Sequence, residues 1–134
     1  MKIFIFFTFF IASCFLEVSG YCLFNGQPTS SVWLGHSSTV NYETISPNNK
    51  TCCDWDNHNC YKESKVRNPN DYVTVYVACG KTSHHFTNVK VYAGGSMIVL
   101  KSSVPEFDNF LDIFDENGNK RYWYRCGTND WEWY

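Results

Sequence analysis

Three cysteines crowd into residues 51–60, TCCDWDNHNC, and two of them, Cys52 and Cys53, are neighbours. Whether this cluster is a metal site or a set of covalent cross-links decides which folds are open to the chain. The choice turns on redox compartment, and the opening residues, MKIFIFFTFFIASCFLEVSG, bear on it directly. Lys2 supplies a short positive start, residues 3–15 are almost unbrokenly apolar, and Val18-Ser19-Gly20 offers small side chains at a cleavage point. That is the pattern of a signal peptide over residues 1–20, with Tyr21 opening a single mature domain over residues 21–134. The apolar run falls short of the roughly 20 residues a bilayer span needs, and charged residues interrupt every later one, so no membrane span is expected. The expected location is secreted and extracellular.

An oxidising compartment changes what cysteines mean. Cys14 leaves with the leader, and Cys22, Cys52, Cys53, Cys60, Cys79 and Cys126 remain, an even set suited to disulfides. Six cysteines pair in about 15 ways, and excluding a strained bond between neighbours leaves about 12. A zinc reading would recruit Cys52 or Cys53, Cys60, His58 and an aspartate. Structural zinc sites show two such clusters at regular spacing, and this chain has one, so no metal or other cofactor is expected. An inhibitor-knot framework is excluded too, because it places two cysteines before the doublet. Asn49-Lys50-Thr51 is the lone glycosylation sequon, beside Pro47 in a polar stretch, which makes Asn49 a candidate glycan site.

Net charge is −2, and losing Lys2 and Glu17 together leaves it unchanged. A mixed-sign surface near neutrality argues against a nucleic-acid-binding face and against a polybasic membrane-surface protein. Aromatic residues make up 19% of the chain, a composition that favours pleated, half-buried surfaces.

The strand pattern is strongest at residues 72–79, YVTVYVAC, where Val73, Val75, Val77 and Cys79 share one face. Residues 86–102 hold two alternating runs about Gly94-Gly95, which predicts a two-residue hairpin setting Val91 opposite Ile98 and Val89 opposite Leu100. Asn117-Gly118 predicts a second hairpin, with Ile113 opposite Tyr122 and Leu111 opposite Tyr124. Its solvent face would carry Phe110, Asp112 and Phe114 against Arg121, Trp123 and Arg125, with Asp112 diagonal to both arginines. A calcium-loop reading of residues 115–119 fails because glycine and glutamate are misplaced for it. Residues 30–35 and 37–45 are weaker strand candidates, and residues 127–134 offer a last strand. Residues 62–71 predict an exposed linker.

About seven or eight short strands with turns between them predict an all-β fold, a small disulfide-stabilised antiparallel β-sandwich or barrel. Asn88-to-Leu100, NVKVYAGGSMIVL, resembles the second half of a βγ-crystallin Greek key, which implies a Greek-key option; that family's aromatic corner and acidic-serine calcium signature are missing. Cys79 and Cys126 both fall on core-facing positions, so a Cys79–Cys126 bridge is expected. Cys22 would take one of the adjacent pair and Cys60 the other.

Three functions remain open. The favoured one is a secreted, non-enzymatic, cysteine-rich binding protein, of toxin, effector or defence type, whose partner is an extracellular protein. A glycan-binding module is the second, using Trp123, Trp131, Trp133 and Tyr134 as stacking platforms. The third is a small ribonuclease-like hydrolase, with His84 or His85 joined by His58 and Asp54 or Asp56. VYAGGS with the later FDENGNK is similar to the microbial guanyl-specific type, which needs a strand-borne glutamate, an arginine and a histidine on one sheet face. No strand glutamate is evident before that run, and no histidine follows it. Nucleophile, metal-helix and phosphate-loop motifs are absent from the sequence, so no catalytic residue is assigned.

Overall fold

The computed structural model describes residues 20–36, 42–54, 60, 66, 68–80, 85–104 and 108–127, together with the backbone of 131–133. Ten strands run through them: β1 Gly20–Asn25, β2 Val32–Gly35, β3 Tyr42–Ile45, β4 Lys50–Asp54, β5 Tyr72–Ala78, β6 Thr87–Tyr92, β7 Ser96–Leu100, β8 Phe110–Phe114, β9 Lys120–Arg125 and β10 Trp131–Trp133. They form a six-stranded sheet in the order β10-β9-β8-β7-β1-β4 and a four-stranded sheet in the order β3-β2-β5-β6. Pairings are antiparallel except β1 with β7, which is parallel. The fold is all-β, and the two sheets pack as a sandwich without closing into a barrel. Among the described residues no helix is long and apolar enough to cross a membrane.

Period-two alternation builds the core. Tyr21 and Leu23 of β1, Met97 and Val99 of β7 and Leu111 and Ile113 of β8 are buried on one sheet, facing Val73, Val75 and Val77 of β5 and Val89 and Val91 of β6 on the other. Each such side chain contributes on the order of 1.5–3 kcal/mol by leaving water. β1 and β4 were not expected as strands. Both lie in segments read for other signals, the leader junction and the cysteine cluster, and β4 is mostly exposed.

The Gly94-Gly95 hairpin is not formed. β6 and β7 belong to different sheets, so the chain crosses the sandwich at this point. A primed turn needs positive φ, and neither glycine has it. Both are required by space instead: a Cβ on Gly94 would stand 2.7 Å from Pro69 Cβ, and one on Gly95 would meet the Phe114 carbonyl oxygen and Tyr92 Cβ. Since β6 and β7 do not pair, the face assignment also changes. Met97 and Val99 enter the core, while Leu100 is exposed and Ile98 half-buried.

The second hairpin forms with the expected pairs Ile113–Tyr122 and Leu111–Tyr124. Its turn is different in kind. Gly118 has φ 79°, but Asn117 is not in the positive-φ region, and the ladder slips between Ile113 and Phe114 so that Phe114 pairs with Lys120. This is a three-residue loop with a glycine bulge, not a two-residue primed turn. Asp115 Oδ1 accepts the N–H groups of Asn117 and Asn119, both at 2.9 Å, so its carboxylate is committed to the loop backbone. Between β3 and β4, Ser46-Pro47-Asn48-Asn49 makes a type II turn: Asn48 has φ 62° and Asn49 N–H donates to the Ser46 carbonyl at 3.1 Å. In the segment expected as a linker, residues 68–71 form a turn and Val66 packs against the core; residues 61–65 and 67 lie outside the described residues.

Three disulfides staple this frame: Cys22–Cys52 directly across β1 and β4, Cys53–Cys60 within the cysteine cluster, and Cys79–Cys126 from the end of β5 to the end of β9, joining the two sheets. The expected Cys79–Cys126 bridge is present, and the choice the sequence left open goes to Cys52 for Cys22 and Cys53 for Cys60. Two polar devices complete the frame. Fully buried Asn25 donates to the Ser30 and Ile45 carbonyls at 2.8 and 3.0 Å and accepts from Gln27 N–H at 3.0 Å. On the outer edge of β6, Lys90 donates its N–H to Tyr124 Oη at 3.2 Å and accepts a hydrogen bond from Tyr122 Oη at its carbonyl. Tyrosines from one sheet thus satisfy the free edge of the other.

Candidate functional site

The outer face of the six-stranded sheet gathers side chains that the register sets side by side. One row runs Lys50, Phe24, Ile98, Asp112, Trp123, and a flanking row runs Leu100, Phe110, Arg125. Phe24 is 38% exposed and Leu100 42%, while Ile98, Phe110, Phe114 and Trp123 are half-buried. Trp123 meets Phe110 edge-on, with ring centroids 5.2 Å apart and planes at 87°. Together these side chains put a stretch of aromatic and aliphatic surface on the solvent side of the sheet.

Asp112 sits in the middle of this face and is nevertheless buried. Its partner is Lys120, whose Nζ lies 2.9 Å from Asp112 Oδ2. The sequence had paired Asp112 with Arg121 and Arg125. The slip in the ladder between Ile113 and Phe114, a bulge separate from the one at Gly118, accounts for the change: it makes Arg121 the extra residue of β9, moves Lys120 opposite Phe114, and leaves Arg121 3.9 Å from Asp115.

Of the other aromatic candidates, Trp131 and Trp133 stand in register with Tyr124 and Tyr122 on the edge strand β10. Tyr134 lies outside the described residues, as do His84, His58 and Asp56. His85 is exposed ahead of β6, and Asp54 is exposed at the end of β4. Asn49 is exposed at the end of its turn.

The fold also assembles a cluster that no sequence pattern announces. His36 follows β2, where its Nδ1 hydrogen-bonds Tyr21 Oη and its Nε2 lies 3.7 Å from Glu43 Oε2. Tyr21 Oη also donates to the Cys60 carbonyl at 3.3 Å, and Thr51 Oγ1 donates to Glu43 Oε1 at 2.7 Å. A ring nitrogen of His36 and the sulfurs of Cys53 and Cys60 all lie within 4.8 Å of one another. Burial holds the His36 pKa below its ordinary value, and the Glu43 carboxylate opposes that shift. Glu43 on β3 is thus a strand-borne glutamate preceding VYAGGS, which the sequence reading did not find, and its histidine neighbour is none of those considered. Among the described residues the arginines lie on β9 of the six-stranded sheet and Glu43 on β3 of the four-stranded sheet, so these residues set no guanyl-specific triad on one sheet face. No spacing rule joins Tyr21, His36, Glu43 and Cys60. They meet only because β1 and β4 pack against β2 and β3.

A third aromatic group lies on the four-stranded sheet. The Tyr42 ring covers Gly35, where a Cβ would stand 2.8 Å from ring carbons, and it stacks on Phe86 at 4.0 Å. Comparison of the chain with models of known protein families, with curated proteins and with solved structures finds no match.

Proposed function

We propose that the protein is a secreted, non-enzymatic binding module that docks an extracellular protein on the outer face of its six-stranded sheet. The observation that carries this reading is the row of Phe24, Ile98 and Trp123, with Asp112 between the last two and Leu100 and Phe110 beside it, on a face braced by sheet pairing and by the Cys22–Cys52 cross-strand bond. Rigid aromatic and aliphatic anchors with charged groups toward the margin are what interface centres are made of. Three disulfides are compatible with an extracellular location, and the leader-like residues 1–20 point the same way. A glycan on exposed Asn49 would shield the β4 edge and leave the face itself clear.

The test is a screen of the secreted protein against arrayed extracellular proteins, repeated with Phe24→Ser/Leu100→Ser. Hits that lose at least about tenfold in affinity with that variant, and nothing with Tyr42→Ala on the other sheet, support the assignment. Hits indifferent to the first variant and sensitive to the second would move the interface to the other sheet.

A glycan-binding reading rests on Trp123, which faces outward beside Phe110. A pyranose stacked there would be lost with Trp123→Ala while the fold is retained.

A further inference from the structure

We propose that the Cys53–Cys60 disulfide and His36 form a redox-gated site for a divalent transition metal of the zinc class, closed in the oxidised protein and opened by a dithiol reductant. The geometry carries the inference. Two sulfurs and an imidazole nitrogen already lie within 4.8 Å of one another. Donors around one tetrahedral zinc, with Zn–S near 2.3 Å and Zn–N near 2.0 Å, are separated by roughly 3.5–4 Å, so the two sulfurs, bonded to each other in the oxidised protein, must part to that spacing on reduction while the imidazole closes in by at most about 1 Å. Tyr21 Oη touches both His36 Nδ1 and the Cys60 carbonyl, which places Nδ1 on the Cys60 side; coordination by Nδ1 replaces its hydrogen bond to Tyr21 and leaves the ring proton on Nε2. Nε2 then faces Glu43, itself held by Thr51. That is the carboxylate–histidine–metal arrangement by which an outer carboxylate fixes the ligand ring. Three protein donors leave the fourth position to solvent.

The chemistry balances in two steps. The dithiol gives up its two S–H bonds and closes to a disulfide, the Cys53–Cys60 S–S bond breaks, and two thiols form. Metal binding then releases both thiol protons to solvent as two metal–thiolate bonds form, and metal and disulfide exclude each other.

The test uses the full secreted chain, oxidised and after mild dithiol reduction with anaerobic removal of the reductant. Co²⁺ is titrated first, then Zn²⁺, with alkylation mapping and far-ultraviolet circular dichroism on each sample. The reduced chain should bind one Co²⁺ with a thiolate-to-cobalt charge-transfer band, release it to one Zn²⁺, and keep its sheet signal. Zn²⁺ should protect Cys53 and Cys60, and no other cysteine, from alkylation. His36→Ala should weaken binding by more than about tenfold, and Glu43→Gln by about tenfold. Equal binding by the oxidised chain, unchanged binding in His36→Ala, protection of other cysteines, or a sheet signal lost on reduction and not restored by Zn²⁺ would each overturn the proposal.

Discussion

At Gly118 the backbone stands at φ 79°, and nothing lies within 4 Å of where a Cβ would go. The position needs glycine for conformation alone, and Gly118→Ala should cost about 1–2 kcal/mol, the penalty of the left-handed region for an L-residue. Gly95 needs glycine for room: a Cβ there meets a backbone oxygen that cannot yield. Gly95→Ala should therefore cost roughly 3 kcal/mol, the upper end for forced overpacking. Urea midpoints of the two variants give the order directly, and a Gly118 loss exceeding the Gly95 loss would contradict both accounts. Asn25→Ala removes one side chain that serves two carbonyls and one amide in a fully buried site. Its expected cost is about 3 kcal/mol, from lost bonds plus stranded acceptors, read in the same assay. The sequence marked Gly94-Gly95 and Asn117-Gly118 as turns but could not separate conformational need from spatial need. That distinction depends on Pro69, Tyr92 and Phe114, which come near only in the fold.

Within β1, adjacent residues have opposite tasks. Leu23 is fully buried and Phe24 is 38% exposed on the proposed docking face. Leu23→Ala should cost about 3 kcal/mol of stability. Phe24→Ala should cost under about 1 kcal/mol and act on partner binding instead. Chemical denaturation beside a binding assay separates the two. Where β9 meets β6, tyrosines make folding sensitive to alkali. Burial, followed by the hydrogen bond with Tyr72, pushes the Tyr92 phenol up to about 12, and burial raises Tyr122 and Tyr124 as well. Unfolded phenols ionise near 10, so above that pH the unfolded chain holds fewer protons than the native one. Stability should be level below about pH 10 and fall from there toward about pH 12, with phenolate absorbance rising as the sheets separate. Tyr122→Phe with Tyr124→Phe should blunt the fall and lower the neutral-pH midpoint by exposing the Lys90 edge.

For the molecule as a whole, the disulfides differ in what they restrain. Cys79–Cys126 closes a sequence separation of 47 and ties one sheet to the other, whereas Cys53–Cys60 closes 7. On loop-closure entropy, removing the first pair as alanines should cost about 4 kcal/mol and removing the second about 2.5 kcal/mol. Thermal or urea unfolding of the two double variants checks the order. Equal losses would mean that strain or residual structure outweighs chain entropy.

Much of this protein is written in local pattern. Alternation at residues 72–79 determined which face of β5 is buried, Asn117-Gly118 placed the β8–β9 turn, and the core-facing positions of Cys79 and Cys126 pointed to their bridge while leaving open how Cys52 and Cys53 divide between Cys22 and Cys60. These are properties of neighbours in sequence or of a period of two, and physics acts on them before the chain collapses. What needed the tertiary structure was every decision between sheets: that β6 and β7 part company at two glycines, that Met97 and Val99 replace Ile98 and Leu100 in the core, and that Lys120 rather than an arginine answers Asp112. The His36–Glu43–Tyr21 cluster beside Cys53 and Cys60 belongs to the same class. Its members come from four strands and their loops, and only the packing of one sheet on the other, driven by burial with no signature in spacing, brings them together.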